Sequence, residues 1–302
     1  YIKDKSGDTS FLMYSRLFDE KVTKEVRMYG FNGDDKFIID DNVSAKIKLR
    51  IIGGRGHDTF QLAGKSRKYL YDLACDGNPI LAKKRTINLM SNDPKVNDYS
   101  YQDYKYQDVK RFPWINVGFN SEDGPLAGIG FWRKTYGFRK QPYATENKLS
   151  TLYSFINNAY QVRYFGAFTD VYRNIDVIAK AEFMNPSLYN FFGLGNETEI
   201  LPGTRMRYYR TRYKYAAADI AIQKRFFDKL SISAGPSIYH YWNRESINDG
   251  KILQQPELVG LDSADVFSKK TYVGGKLSIN INNLNSEIFP TRGINWTNEF
   301  TY

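Results

Sequence analysis

The sequence contains little cysteine, little histidine and no long apolar run. Cys75 is the single cysteine among 302 residues, so an internal disulfide framework is excluded. His57 and His240, the two histidines, stand in unrelated contexts. A metallophosphoesterase, which clusters Asp, His and Asn around two metals, is therefore not expected within these residues. No stretch reaches the roughly 18 to 20 apolar residues of a membrane helix, whereas the strands of a membrane barrel never need such a run.

Motifs for other kinds of catalysis are also missing. A G-x-S-x-G elbow does not occur, nor does a Walker loop, and GLGNET (residues 193–198) has too few glycines to hold phosphate. We therefore expect no catalytic residues in this chain. Cys75 is expected to be a small buried residue, and His57 an exposed turn residue rather than a ligand.

Aromatic and basic residues are plentiful. The chain has 24 Tyr and 20 Phe but only 4 Trp, and its net charge is +10. Residues 205–215, RMRYYRTRYKY, alternate basic and aromatic side chains. This pattern is typical either of an RNA-binding surface or of a barrel rim that faces anionic lipid headgroups. Since no nucleic-acid-binding motif accompanies it, we expect no nucleic-acid partner.

The first 65 residues contain a near-repeat. VRMYGFNGDDKFII (residues 26–39) aligns with LRIIGGRGHDTFQL (residues 49–62) at an offset of 23, which predicts a small stacked β domain of hairpin-like units. The second copy matches the calcium nonapeptide G-G-x-G-x-D-x-U, so Asp35 and Asp58 are calcium candidates. Calcium-binding repeats recur about every nine residues, however, and this wider spacing favours plain Gly/Asp turns without a cofactor.

The next 45 residues have mixed character. A turn is expected at CDGNP (residues 75–79), and residues 91–110 are expected to form a polar, Tyr-rich linker.

From Phe112 onward, apolar and polar residues alternate over many long segments. Ile115, Val117 and Phe119 begin the pattern, and later segments place Ile220 with Ile222 on one side. A period of two predicts antiparallel strands. A soluble sandwich would fit this pattern, but strand length, a small-polar face and aromatics near strand ends, such as Tyr239, Tyr241 and Trp242, favour a membrane barrel.

Several segments resemble the BamA/TamA superfamily of outer-membrane assembly barrels and two-partner secretion transporters. NSEIFPTRGINW (residues 285–296) is similar to its strand-turn-strand motif, and FNSEDGPLAGIGF (residues 119–131) to a family hairpin. YGFRKQPYA (residues 136–144) and FFGLGNET (residues 191–198) resemble a Bacteroidetes branch, in which the barrel often follows a calcineurin-like metallophosphoesterase domain.

The resemblance implies an all-β protein with two parts. Residues 1–110 are expected to form a periplasmic β-rich domain and linker, and residues 111–302 the N-terminal part of an outer-membrane β-barrel. The implied function is outer-membrane protein assembly or translocation, with membrane lipid, other assembly proteins or client barrels as partners. Two alternatives stay open: an anchor or conduit for a metallophosphoesterase that precedes residue 1, and a porin-like channel or surface receptor.

The sequence departs from the family pattern in three ways. The first 110 residues show no POTRA-like βααββ pattern, and the family's lumenal Arg-Gly-Phe or Arg-Gly-Tyr motif is absent. The residues after Phe112 suffice for about nine strands, against about sixteen in the family barrel. We therefore expect these residues to be part of a larger barrel, and the opening YIKDKSGDTS, which is no signal peptide, suggests that the natural chain begins earlier.

The resemblance also suggests functional residues. The motif turn comprises Phe289, Pro290, Thr291, Arg292 and Gly293, and Arg292 is either a lumenal partner of an acidic residue or a solvated turn charge. The first strand, near residues 112–121, would pair weakly with the last strand and leave a seam that templates an incoming strand.

Overall fold

Strands dominate both parts of this chain, and the all-β prediction is confirmed in a computed structural model. The structure describes residues 2–3, 9–99, 108–172, 174–196, 198–227, 229–286 and 288–302. Its internal contacts divide the chain into two units, Tyr1–Tyr104 and Lys105–Tyr302.

The first unit is a stack of short parallel strands. Two sheets are formed in the orders β3-β5-β7-β9 and β4-β6-β8, while β1 and β2 form a separate antiparallel pair. The strands are β1 (Ile2–Lys3), β2 (Thr9–Phe11), β3 (Glu25–Asn32), β4 (Lys36–Ile39), β5 (Lys48–Arg55), β6 (Thr59–Leu62), β7 (Lys68–Tyr71), β8 (Ile80–Lys83) and β9 (Thr86–Asn88), with 3₁₀ turns at Ala74–Asp76 and Pro94–Asn97.

The near-repeat corresponds to successive layers of this stack, and the prediction of hairpin-like units is wrong. Val26 pairs with Leu49 and Lys36 with Thr59, both in parallel register and both at the sequence offset of the repeat. A hairpin would pair β3 with β4 within one copy. Instead each copy turns from one sheet to the other, and the two copies lie one above the other.

Equivalent apolar residues form columns inside the stack. Phe60, Leu62, Ile51 and Leu70 are fully buried. Phe37 lies over Phe60 with ring centroids 5.5 Å apart and nearly parallel planes. The repeat therefore encodes a core, because a parallel layer covers its apolar residues only with the same residues of the next layer.

The stack continues beyond the visible repeat. Residues 66–99, expected to have mixed and linker character, contain β7, β8 and β9, which add to the two sheets. The turn at residues 75–79 is present, with Gly77 in the left-handed region at φ 67°. Asn97, within the expected linker, donates hydrogen bonds to Gly54 O and Asp72 Oδ1. Residues 100–107 lie outside the described part.

The second unit is one antiparallel sheet of nine described strands, each hydrogen-bonded to the next in chain order, which agrees with the expected strand number. The strands are β10 (Val109–Asn120), β11 (Gly124–Gly137), β12 (Lys140–Ser154), β13 (Tyr160–Tyr172), β14 (Ile175–Asn190), β15 (Arg210–Phe226), β16 (Leu230–Trp242), β17 (Lys270–Asn282) and β18 (Asn295–Thr301). The helices are α1 (Met206–Tyr209) and α2 (Ser263–Val266), and 3₁₀ turns lie at Glu245–Ile247, Ile252–Gln254 and Pro256–Val259.

The longest connections of this sheet lie at one of its ends. β11 joins β12 through Phe138 and Arg139 alone, whereas residues 191–209 and 243–269 form long connections at the opposite end. None of the helices in the described ranges is long and apolar enough to cross a membrane.

Candidate functional site

The nine-stranded sheet separates apolar and polar side chains onto opposite faces. On β10, Ile115, Val117 and Phe119 are 71%, 80% and 77% exposed. Cross-strand register continues this face over the neighbouring strands, because side chains of paired residues point the same way. Its pairs include Ile115 with Ile129, Phe131 with Leu149, Val177 with Ile222, Ile238 with Val273, Ile232 with Ile279, Leu230 with Ile281 and Leu277 with Phe300.

The opposite face carries charged and small polar residues together with some aromatic rings. Its charged and small polar pairs include Arg163 with Glu182, Lys180 with Asp219, Ser233 with Ser278, and Ser278 with Glu299, and Lys148 there pairs with the aromatic Phe165. The period-two prediction of two contrasting faces is therefore confirmed in the register of the strands.

The polar face is concave. Trp114 on β10 and Lys276 on β17 line the same cavity of about 470 Å³. In a flat sheet these strands would lie roughly 34 Å apart, at about 4.8 Å per strand. The sheet therefore curls around its polar face and turns its apolar face outward.

Ion pairs join neighbouring strands across the concave face. Arg163 Nε lies 2.5 Å from Glu182 Oε1. Lys276 Nζ lies 3.4 Å from Asp219 Oδ2 and 3.1 Å from Glu299 Oε2. Arg225 on β15 lies 2.8 Å from Asp176 on β14, and Glu146 on β12 lies 3.7 Å from Lys134 on β11 and 3.0 Å from Lys148 of its own strand. Since paired charges satisfy one another's hydrogen bonds, these charged groups can lie together on the concave face.

A second charged cluster links the β10–β11 turn to the start of β15. Glu122, in that turn, is almost buried, with 5% of its side chain exposed. The cations around it are Arg207 at 3.6 Å, Arg210 at 3.4 Å, Arg212 at 3.2 Å and Lys251 at 3.9 Å. Asp123 adds a 3.5 Å contact to Arg212. Three arginines of the basic-aromatic segment are thus paired with carboxylates.

Asn120 shapes this turn. Its Oδ1 accepts hydrogen bonds from the backbone N–H groups of Glu122 at 2.9 Å and Asp123 at 2.6 Å. Gly124 then begins β11 with φ 70°. The turn therefore presents both carboxylates towards the arginines. Residues 119–131 form the predicted hairpin, in which β10 ends at Asn120 and β11 begins at Gly124.

Aromatic residues near the ends of β15 and β16 lie on both faces. Tyr239 pairs with Ala217 and Tyr241 with Tyr215, which places both tyrosines on the concave face. Trp242 faces the other way and contacts Phe183, with ring centroids 5.8 Å apart. The prediction of one interfacial group formed by Tyr239, Tyr241 and Trp242 is therefore wrong, because adjacent strand residues point to opposite sides.

The predicted motif turn is an exposed connection between β17 and β18. Asn285 organises it: its Oδ1 accepts from the backbone N–H groups of Thr291 and Arg292, both at 3.0 Å. Gly293 has φ 115°, and a Cβ there would overlap the backbone of Asn283. Phe289 is 80% exposed.

Pro290 and Arg292 are exposed in the same connection. In the part of the chain that the structure describes, the side chain of Arg292 pairs with no carboxylate within 4 Å. Its interpretation as a lumenal ion-pair partner gains no support there, and Arg292 remains an exposed turn residue.

The calcium candidates lie on a ladder of acidic and amide side chains inside the first unit. The N–H of Asp35 donates to Asp58 Oδ1 at 2.8 Å, and the N–H of Asp58 donates to Asn78 Oδ1 at 3.1 Å. A Cβ on Gly53 would overlap Asp58 and Asp72, so glycine leaves room for both carboxyl groups. Burial, together with the charge of Asp72, raises the pKa of Asp58 to about 6.

Metal-ligating residues do not converge in the described ranges: no group of three or more His, Cys, Asp or Glu side chains there has an arrangement that could hold a metal ion. His57 is exposed, as predicted. Cys75 is exposed as well, so the prediction of a buried cysteine is wrong; it lies at the surface turn Ala74–Asp76.

Sequence reasoning missed Glu122, Asp123 and Arg212 as one cluster. The acidic pair was visible in the FNSEDG hairpin and the arginine in the basic-aromatic segment, but 89 residues separate Asp123 from Arg212. No local pattern joins them.

Comparison with known proteins adds no relative. No family model, no curated protein and no solved structure matches the chain.

Proposed function

We propose that the second unit belongs to a bacterial outer-membrane β-barrel of the BamA/TamA type, which assembles or translocates outer-membrane proteins. The observation that carries this proposal is the outward apolar face that runs across nine long strands around an ion-paired concave face. Monomeric soluble proteins rarely expose a continuous apolar patch of such extent. In a bilayer the apolar face contacts lipid and the concave face lines a wet lumen.

The two kinds of connection support one orientation. Barrels of this class have short turns on the periplasmic side and long loops on the outside. The longest connections, residues 191–209 and 243–269, therefore support an external position for their end of the sheet, and the end with the two-residue link Phe138–Arg139 would be periplasmic. Val109 begins β10 at that second end, which supports a periplasmic location for the first unit.

β10 is the strand that we propose as the template for client strands. Among the described residues it pairs with β11, and in a closed barrel its other edge would pair weakly with the last strand at the seam. An incoming strand would add to this edge by β-augmentation, which satisfies backbone groups that lipid cannot. No bond is made or broken in this mechanism.

The decisive experiment reconstitutes the full-length protein in vesicles and measures how fast an unfolded client barrel inserts. The insertion rate should rise well above that of empty vesicles. In a Cys75→Ser background, Val117→Cys should form a disulfide with a cysteine in the terminal strand of the client, and Ser278→Cys on β17 serves as the control position. Conductance without faster insertion would instead support a porin-like channel. If the protein neither conducts ions nor speeds insertion, the result would support a membrane anchor.

A further inference from the structure

A second cavity, of about 400 Å³, lies between the concave face and the long connection that follows β16. Its sheet side is formed by tyrosines, among them Tyr213, Tyr241 and Tyr272, and its other side includes Leu253 and Leu261. The volume falls within the range of about 300–1,000 Å³ that is typical of small-molecule sites.

The tyrosine rings supply both flat apolar surfaces and hydroxyl groups. Tyr241 and Tyr272 are nearly parallel, with ring centroids 6.3 Å apart, and Tyr213 meets Tyr241 edge-on at 6.4 Å. None of the described residues that line the cavity is charged. Lys270, which pairs with Tyr241 across the strands, is held by Asp265 at 2.5 Å.

We propose that this cavity binds a neutral sugar, a pyranose mono- or disaccharide. A pyranose has apolar C–H faces that stack on phenol rings, and hydroxyl groups that both donate and accept hydrogen bonds, as tyrosine hydroxyls do. Leu253 and Leu261 supply the apolar wall on the opposite side. This inference does not depend on the proposed role in membrane-protein assembly.

The lining argues against two other classes of ligand. A hydrocarbon would remove water from tyrosine hydroxyls such as that of Tyr272, and a buried hydroxyl left without a partner costs about 1–3 kcal/mol. An anion would require a cation in the lining, and Lys270 is already neutralised by its ion pair. A neutral sugar offers hydroxyl groups to the tyrosine hydroxyls and apolar C–H faces to the rings and leucines of the lining.

The test is saturation-transfer NMR on the full chain in dodecylphosphocholine micelles, a detergent without a sugar headgroup. The probes are maltose, cellobiose and lactose, each at about 10 mM, with toluene as an apolar probe and glucose 6-phosphate as an anionic one. We expect saturation transfer to at least one neutral disaccharide and none to glucose 6-phosphate.

Variants of Tyr272 separate stacking from hydrogen bonding. Tyr272→Phe keeps the ring and should weaken binding about threefold, whereas Tyr272→Ala removes ring and hydroxyl and should weaken it about tenfold. Tyr272 is 55% exposed, so neither change should disturb folding, which tryptophan fluorescence checks. Tyr153→Ala, on the apolar face, is the matched control and should bind like the parent.

Two results would overturn the proposal: no transfer to any of the three disaccharides, whether or not toluene shows it, and transfer that is equally strong in Tyr272→Ala. Both are independent of the client-insertion rate, so this proposal and the proposed function fail separately.

Discussion

Individual glycine and asparagine residues have specific structural roles in the repeat of the first unit and in the β17–β18 connection. In the first unit, glycine at position 53 accommodates the buried carboxyl groups of Asp58 and Asp72. In the β17–β18 connection, Asn285 and Gly293 close the turn that carries the family-like motif. Gly53 is required because a Cβ there would overlap Asp58 and Asp72, and Gly293 because a Cβ there would overlap the backbone of Asn283.

Asp58 should make the stability of the first unit depend on pH. Its pKa is raised from 3.8 to about 6, so the folded unit retains a proton that the unfolded chain has already released. The contribution to stability is therefore full below about pH 4, falls as pH rises to about 6 and is constant above that. Asp58→Asn should remove this dependence in denaturant titrations between pH 4 and pH 7, and raise the stability at pH 7.

Asp41→Asn is the control for that measurement, because Asp41 is an exposed aspartate in the same unit. An identical pH dependence in the parent and in Asp58→Asn would contradict the assignment.

Gly293→Ala should destabilise the β17–β18 connection by about 2 kcal/mol or more. Alanine at φ 115° is strained, and its Cβ would overlap the backbone of Asn283. Gly275→Ala on β17 is the matched control, since its Cβ would meet nothing within 4 Å. Urea unfolding followed by tryptophan fluorescence measures both. Equal stability of the two variants would show that the turn does not require glycine.

At the scale of elements, a buried carboxylate fixes the β10–β11 turn to β15 and to the long connection after β16. Lys251, in that connection, donates to the carbonyls of Arg207 and Arg210 and lies near Glu122. Burial lowers the pKa of Lys251, and the charge of Glu122 opposes that shift. The side chain of Glu122 is therefore the shared partner of this cluster of cations.

Glu122→Gln should loosen the connection over residues 243–269. The change leaves the surrounding cations without their shared carboxylate, and breaking a buried charge network of this kind costs about 3 kcal/mol. Limited proteolysis within that connection should become faster. Arg207→Gln is the control, because its side chain is 77% exposed and should change the rate little. Unchanged cleavage in Glu122→Gln would remove the structural role assigned to this cluster.

For the whole molecule, the question is what surrounds the outward apolar face. If lipid covers it, Ile222→Arg should reduce folding into vesicles by about 2–4 kcal/mol, the cost of an arginine near the middle of a bilayer. Gln223→Arg, one residue further along β15 but on the concave face, should cost far less. Folding is measured by the shift in gel mobility between heated and unheated samples. Equal effects of the two changes would contradict a lipid-facing surface.

The sequence by itself determined the strands of the second unit and the character of their faces. Ile220 and Ile222 alternate with polar-face positions, and a side-chain period of two leaves one arrangement in which most aliphatic side chains share one face. The near-repeat likewise predicted a small stacked β domain, and its equivalent residues Phe37 and Phe60 pair between successive layers.

Only the tertiary structure decided how these elements combine. It made the repeat a parallel stack, because register between layers depends on neighbours that the local pattern does not specify. It placed Tyr239 and Tyr241 on the concave face of the sheet, and it brought Asp123 into contact with Arg212, 89 residues away in the sequence. Curvature and long-range ion pairs arise when distant strands meet, whereas alternation and turns are properties of a few consecutive residues.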